Sequence, residues 1–219
     1  MNEDDVARFI ENDPEFFRRK PWLLGSIELP DPHDGQAVSL AERQTRILRE
    51  RIRSLEAQLA DFARNGREND AIDERLTRWS SALLAEREEA RLPELVVAEL
   101  KAAFAVPAAA VRIWDFAPRF GALPCAAPVS ADLVRFAASM RAPFCGPNAD
   151  FAAAIWLEAD VPDTRSLALI PLRTDADGAP FGLLTLGSPD PQRFRSDMGT
   201  AFLGRIGQLA GAALSRLRG

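Results

Sequence analysis

Histidine occurs once in these 219 residues and cysteine only twice. His33, Cys125 and Cys145 are too few to assemble a Cys/His zinc site within one chain. No apolar run approaches the ~18 residues that a membrane-crossing helix needs. No glycine-rich loop has phosphate-binding spacing and no nucleophile stands beside a plausible general base, so the sequence predicts a protein that is not an enzyme. Positive charge is in deficit, with 27 Lys and Arg against 32 Asp and Glu for a formal charge of −5. That balance argues against nucleic-acid binding, a local basic patch aside. The opening Met1-Asn-Glu-Asp-Asp is acidic, whereas a secretory signal is basic and then apolar. The expected setting is the cytoplasm, with both thiols reduced.

What the chain has in abundance is charged helix. From about Val38 to Ala63, apolar residues Leu48, Ile52, Leu55, Leu59 and Phe62 recur in steps of four and three. This is the seam of a coiled coil, with Glu and Arg filling the remaining positions. So narrow a stripe does not fit a globular core and needs a second helix. Two copies give self-matching layers, which predicts a parallel homodimer through this helix; antiparallel pairing, or pairing through the terminal helix, is the alternative. Ser39 and Glu42 have the spacing of a capping box at its start. At Asn65-Gly66 the pattern stumbles, because the next stripe, Ile72, Leu76, Trp79 and Leu83, is out of heptad phase with Phe62. Either the helix ends there or it continues with a register skip.

The residues up to Pro30 read as short helices punctuated by proline. Asp4 or Asp5 is expected to cap the first, with Val6, Phe9 and Ile10 turned inward. Asp13 is expected to cap the second, with Pro14 at its first position, and Pro21 repeats the device. Phe9, Phe16, Phe17, Trp22, Leu23 and Leu24 are more apolar surface than ~25 residues can bury on themselves. They are expected to pack against the long helix or a second subunit, with docking of a peptide or membrane as the other reading. Leu29-Pro-Asp-Pro-His-Asp-Gly is turn chemistry, and His33 within it reads as solvent-exposed or a local hydrogen-bond partner.

The remainder has the grammar of an α+β domain. Pro93 fits the first turn of a helix ending near Ala105. Ala109 to Phe116 reads as a strand, with Val111 and Ile113 on one face and Arg112, Trp114 and Phe116 on the other. Ala131 to Met140 reads as a short helix capped by Ser130. Leu167-Ala-Leu-Ile-Pro-Leu is a strand covered on both faces, Asp175-Ala-Asp-Gly a turn, and Phe181-Gly-Leu-Leu-Thr-Leu-Gly the returning strand. A terminal helix from about Ser196 carries Phe202, Ile206, Leu209, Ala213 and Leu217 on one stripe, and Gly207 and Gly211 on it permit close backbone approach. The division expected is 1–35 for the short helices, 36–66 for the coiled-coil helix and 67–219 for the mixed domain.

This order of elements resembles a GAF domain over about residues 75 to 218. More specifically, the chain is similar to an uncharacterised bacterial family, a domain of unknown function, that joins a coiled-coil helix to a GAF-like domain. The matching pieces are Asp13-Pro-Glu-Phe-Phe, Pro21-Trp-Leu-Leu, Ala37-Val-Ser-Leu-Ala-Glu-Arg-Gln, Phe144-Cys-Gly-Pro and Gly187-Ser-Pro-Asp-Pro-Gln-Arg-Phe-Arg-Ser-Asp-Met-Gly-Thr-Ala-Phe-Leu. The resemblance implies a central antiparallel sheet flanked by helices, and dimerisation through the N-terminal helix. GAF domains bind small molecules or act as dimer and signal-relay modules. The cyclic-nucleotide group among them carries Asn-Lys and then Phe with three residues between it and Asp-Glu, whereas here two residues intervene, Asn-Lys is lacking and Met198 follows. Phe194-Arg-Ser-Asp197 departs from that pattern, which counts against cyclic nucleotides.

The same resemblance places a ligand pocket between one face of the sheet and the short segments crossing it, here Ala131–Met140 and Pro143–Trp156. Arg112 and Trp114 would then face Phe144, Ile155 and Trp156, with Cys145 alongside. Two tryptophans and an arginine suit a flat or anionic ligand, unless the aromatics simply fill the space. Cys145 reads first as a small buried thiol, and Cys125 is the weaker thiol candidate. Arg193, Arg195 and Asp197 form either an anion or partner contact or a cap with solvated arginines. The expectation is a non-catalytic dimeric module that senses a small molecule or relays a signal, with the ligand and any cofactor left open. A ligand-free adaptor that docks a protein partner and a thiol redox sensor using Cys145 are the alternatives.

Overall fold

A computed structural model describes residues 2–13, 15–30, 37–175, 178–197 and 199–218, with the backbone alone for residues 25, 28–30, 37–40 and 42. Pro14, His33 and Asp177, and the side chains of the Ser39–Glu42 capping box, lie outside the described residues. The chain divides into two units, residues 1–69 and 70–219.

In the first unit, helix α1 (Glu3–Asn12) is capped by Asn2 rather than by Asp4 or Asp5. Asn2 Oδ1 accepts from the Asp5 amide at 2.8 Å, and Asp5 Oδ2 accepts from the Asn2 amide at 2.9 Å. Starting two or three residues earlier puts Glu3, Asp4 and Asp5 in the first turn, where the helix dipole favours them. Val6, Phe9 and Ile10 are exposed, not turned inward. Asp13 closes α1 and pairs with Arg19; it does not open α2 (Phe16–Arg19), whose N-cap position is Glu15. Phe9, Phe16 and Phe17 meet edge to face, with ring centroids 5.3 Å apart in each pair. Helix α3 (Trp22–Ser26) follows, and then β1 (Glu28–Pro30) pairs antiparallel with β2 (Ala37–Ser39).

Helix α4 (Leu40–Ala85) is continuous for 46 residues, about 69 Å at ~1.5 Å per residue. It passes through Asn65-Gly66 without a break, so it does not end near Ala63. A glycine in a helix interior costs only ~1 kcal/mol, too little to interrupt a helix whose downstream turns are buried. The five seam residues are between 45% and 77% exposed. Downstream, Leu76, Trp79 and Leu83 are buried, and Trp79 Nε1 donates to the Val96 carbonyl at 3.3 Å.

In the second unit, four antiparallel strands run in the order β3-β6-β5-β4: β3 (Ala108–Ile113), β4 (Phe144–Pro147), β5 (Ser166–Leu172) and β6 (Gly182–Ser188). Every residue of β5 and β6 is buried, as the apolar run and its returning partner predict. Alternation sends Ala168, Ile170, Leu172, Leu184 and Leu186 to one face. There they pack with the end of α4, with α5 (Leu92–Phe104) and with α7 (Ala201–Leu214). Leu167, Leu169 and Leu183 take the other face, under α6 (Ala131–Ser139) and the 3-10 turn Ala152–Leu157. Ser130 caps α6 by accepting from the Leu133 amide at 3.3 Å. The architecture is α+β, a covered antiparallel sheet with a long helix ahead of it. Strand β3 stops at Ile113, so Phe116 turns back into the helix-side core rather than lying beside Arg112. The stretch expected to cross the sheet from Pro143 begins as β4, pairing Phe144 with Leu169.

Candidate functional site

The covered face of the sheet gathers four of the six expected ligand residues. Arg112 projects from β3 with its guanidinium 5.3 Å from the Trp156 ring, and its Nη1 donates to the Val111 carbonyl at 3.1 Å. Among the described residues no carboxylate pairs with it. Trp114 Nε1 donates to the Pro180 carbonyl at 2.9 Å, and the Phe144 ring lies 5.1 Å from Phe151. Trp114, Phe144 and Trp156 pack against Leu133, Leu167, Leu169 and Leu183. This face is therefore filled by its own aromatics. The other two residues stand apart. Ile155 is 64% exposed, because neighbouring residues of the 3-10 turn point in different directions. Cys145 follows Phe144 on β4, so the strand's alternation sends it into the core on the opposite face. Among the described residues one polar group is stranded within the sheet: Thr185, in register with Ala110 and Leu169, is fully buried and its Oγ1 has no hydrogen-bond partner there.

Open space lies beside β3, not over the sheet. A groove of about 830 Å³ runs between α5, the free edge of β3 and the turn Pro124–Ala126. Pro93, Val97, Ala98, Ala102, Ala110 and Val111 give it apolar walls, and Glu94, Lys101, Arg112 and Cys125 supply its polar points. Lys101 Nζ holds Asp160 Oδ2 at 2.6 Å, which leaves Arg112 as the groove's cation without a carboxylate. Burial pushes the Cys125 thiol above its ordinary pKa, opposed by its own backbone hydrogen bond and the nearby charge of Arg112; burial alone raises Cys145. A buried, protonated thiol is a poor nucleophile. Among the described residues no His, Cys, Asp and Glu cluster could hold a metal ion. The groove was readable only as small residues, Ala98 and Ala102, on the exposed side of α5, and its thiol is Cys125 rather than Cys145.

The arginines near the terminal helix are structural. Arg193 Nη2 donates to the carbonyls of Phe104 (2.8 Å) and Ala105 (3.2 Å), closing the C-terminal end of α5, where a cation suits the helix dipole. Phe194 beside it is buried in the core. Asp197 does not cap α7, whose N-cap position is Thr200; it accepts from Arg195 at 2.8 and 2.7 Å, and that hydrogen bonding lowers its pKa.

The family model described as "Protein of unknown function, DUF484" matches residues 1–218. The chain belongs to that family. A search of curated proteins finds no match. Among solved structures, the chain is similar to the free methionine-R-sulfoxide reductase of Neisseria meningitidis in complex with its substrate, at 16% identity and TM-score 0.45, covering 66% of this chain and 88% of that one. It is also similar to the GAF domain of a protein described as a sensor histidine kinase from Pseudomonas syringae pv. tomato, at 16% identity and TM-score 0.45, covering 70% and 91%. No described helix is long and apolar enough to cross a membrane.

Proposed function

We propose that this member of the DUF484 family is a non-catalytic cytoplasmic module that binds a small molecule in the groove beside β3 and pairs with a second copy through the α4 seam. The observation that carries this reading is the groove itself. Its volume of about 830 Å³ falls in the range of small-molecule sites, and so does its make-up of apolar walls with a few convergent polar groups. Arg112, without a carboxylate partner, suits a ligand with an apolar body and an anionic or planar head. The relay rests on one element: the helix that carries the exposed seam also supplies Leu76, Trp79 and Leu83 to the core.

Native mass spectrometry of protein purified without denaturation tests the groove. The expected spectrum carries a mass beyond the polypeptide that disappears on denaturation. Ala98 is exposed on the groove wall, so Ala98→Trp fills the space without touching the core; it is expected to lose the extra mass and keep its melting temperature. Wild-type protein that carries no ligand, and that no compound in a metabolite library stabilises, overturns the reading. A second reading has its own observation: Phe9 and Trp22 are 51% and 64% exposed, which favours an adaptor that docks a protein partner through the N-terminal segment. The thiol-sensor reading loses ground, because burial holds both thiols protonated.

A further inference from the structure

A second cavity, of about 340 Å³, opens on the β4 side of the sheet between the loop before β4, the end of β5 and α7. We propose that it binds a small organic anion through an oxyanion group, carboxylate or phosphate, held by Arg141 and Arg173. It stands apart from the groove beside β3 and does not depend on that reading.

Three observations point there. The first is unspent charge. Arg173 is fixed in place, its Nε donating to the Gly178 carbonyl at 2.7 Å and its Nη2 to the Met140 carbonyl at 2.6 Å. Both partners are neutral carbonyls, so the guanidinium charge is held rigidly without being neutralised. Arg141 makes no hydrogen bond or ion pair among the described residues. Arg195, Arg205 and Arg218 each have a carboxylate by contrast. Among the described residues the cavity's one acid is Asp175, which accepts from Thr174 Oγ1 at 3.3 Å and leaves one positive charge in excess. Two guanidinium forks suit an oxyanion through parallel charge-assisted hydrogen bonds.

The second observation is a gap in the sheet. Strand β4 pairs with β5 only as far as Phe144 and Leu169, and Pro171 beyond that point offers no N–H for a neighbouring strand. The third is Gly204 on the cavity wall. A Cβ built there meets nothing within 4 Å, so neither packing nor a turn requires glycine, although glycine weakens a helix relative to alanine. The wall is bare where a side chain would enter the cavity.

The test is calorimetric titration of the full chain with inorganic phosphate and, separately, with succinate, each against sodium chloride at matched ionic strength. Saturable binding of at least one probe is expected. Arg141→Met should weaken it by about tenfold or more, as loss of a charge-assisted hydrogen bond does. Gly204→Leu, which extends into the cavity, should abolish it without lowering the melting temperature. Binding of phosphate alone marks a phosphorylated ligand, succinate alone a carboxylic acid, and both the shared oxyanion chemistry. If neither probe binds more tightly than chloride, or if binding survives both variants, the proposal fails. Should Arg141→Met fold poorly, Gly204→Leu decides the matter, since it leaves every hydrogen bond of the cavity intact.

Discussion

Two glycines on the same helix should respond to the same substitution with opposite signs. A Cβ on Gly211 would lie 2.3 Å from the Arg173 carbonyl oxygen and 3.2 Å from its nitrogen, whereas a Cβ on Gly204 would meet nothing within 4 Å. Alanine gains ~1 kcal/mol over glycine in a helix interior, and Gly204→Ala should realise most of that gain. At Gly211 the same gain is set against an overlap of more than ~1 Å with main chain, judged against a van der Waals contact near 3.5 Å. The obstruction cannot swing aside, because Arg173 is tied through its side chain to Gly178 and Met140. Helix α7 must lift instead, and it buries Leu203, Ile206, Ala210 and Leu214 against the sheet. Overpacking of this kind costs ~1–3 kcal/mol and sometimes more, so Gly211→Ala should be destabilised by about 1–2 kcal/mol net, against a stabilisation of up to about 1 kcal/mol for Gly204→Ala. Urea titrations followed by tryptophan emission report the difference, since Trp79, Trp114 and Trp156 all pack into the second unit. A Gly211→Ala midpoint at or above that of Gly204→Ala would refute the close approach of α7 to β5.

Replacing Leu55 and Leu59 together by Asp puts charges into the α4 seam, and sedimentation should show the dimer dissociated into folded monomers; a double variant that still sediments as a dimer places the interface elsewhere. Thr185→Val removes a buried hydroxyl that has no partner and should stabilise the protein by up to about 2 kcal/mol in denaturant titration, whereas a loss of more than ~1 kcal/mol would mean that the hydroxyl is bonded. Burial raises the pKa of Cys125 and Cys145, so folding holds both protons more tightly than the unfolded chain does. Their contribution to stability is complete below the ordinary thiol value of ~8.5 and falls as pH rises beyond it. Correspondingly, alkylation of the native protein should be slow at neutral pH and fast only once it is unfolded; rapid labelling of Cys145 at pH 7 would revive the redox reading.

Periodicity made most of the architecture readable before the structure. The uninterrupted run Leu167–Leu172 became β5, buried at every position, and Pro93 and Ser130 mark the starts of α5 and α6. What sequence could not fix was governed by small energies or by parity. Whether the helix ends at Gly66 or runs on stayed open because the local cost of a glycine is visible, whereas the burial of Leu76, Trp79 and Leu83 that outweighs it is tertiary. Asn2 rather than Asp4 or Asp5 caps α1, a shift of two or three residues that no pattern of apolar positions registers. At the candidate site, Arg112, Trp114, Phe144 and Trp156 did come together, while Cys145 was lost to parity. Reading Pro143–Trp156 as one crossing segment hid that its first part is a strand, and on a strand adjacent residues face opposite layers.

The same physics accounts for the groove's lying at the edge of the sheet rather than over it. Over the face lined by Leu133, Leu167, Leu169 and Leu183, three large aromatics close and take up the space. Space survives where the chain fails to supply another strand. After β3 the sequence turns through Pro118 and Pro124, each opening a 3-10 turn. Proline lacks the donor that a ladder requires, so this stretch is poorly suited to add a fifth strand beside Ala108–Ile113. The edge is met instead by the alanine-bearing side of α5, whose short side chains at Ala98 and Ala102 stop short of the strand. Alanine suits an exposed helix position on propensity alone, and its short side chain is what leaves this gap beside β3 open.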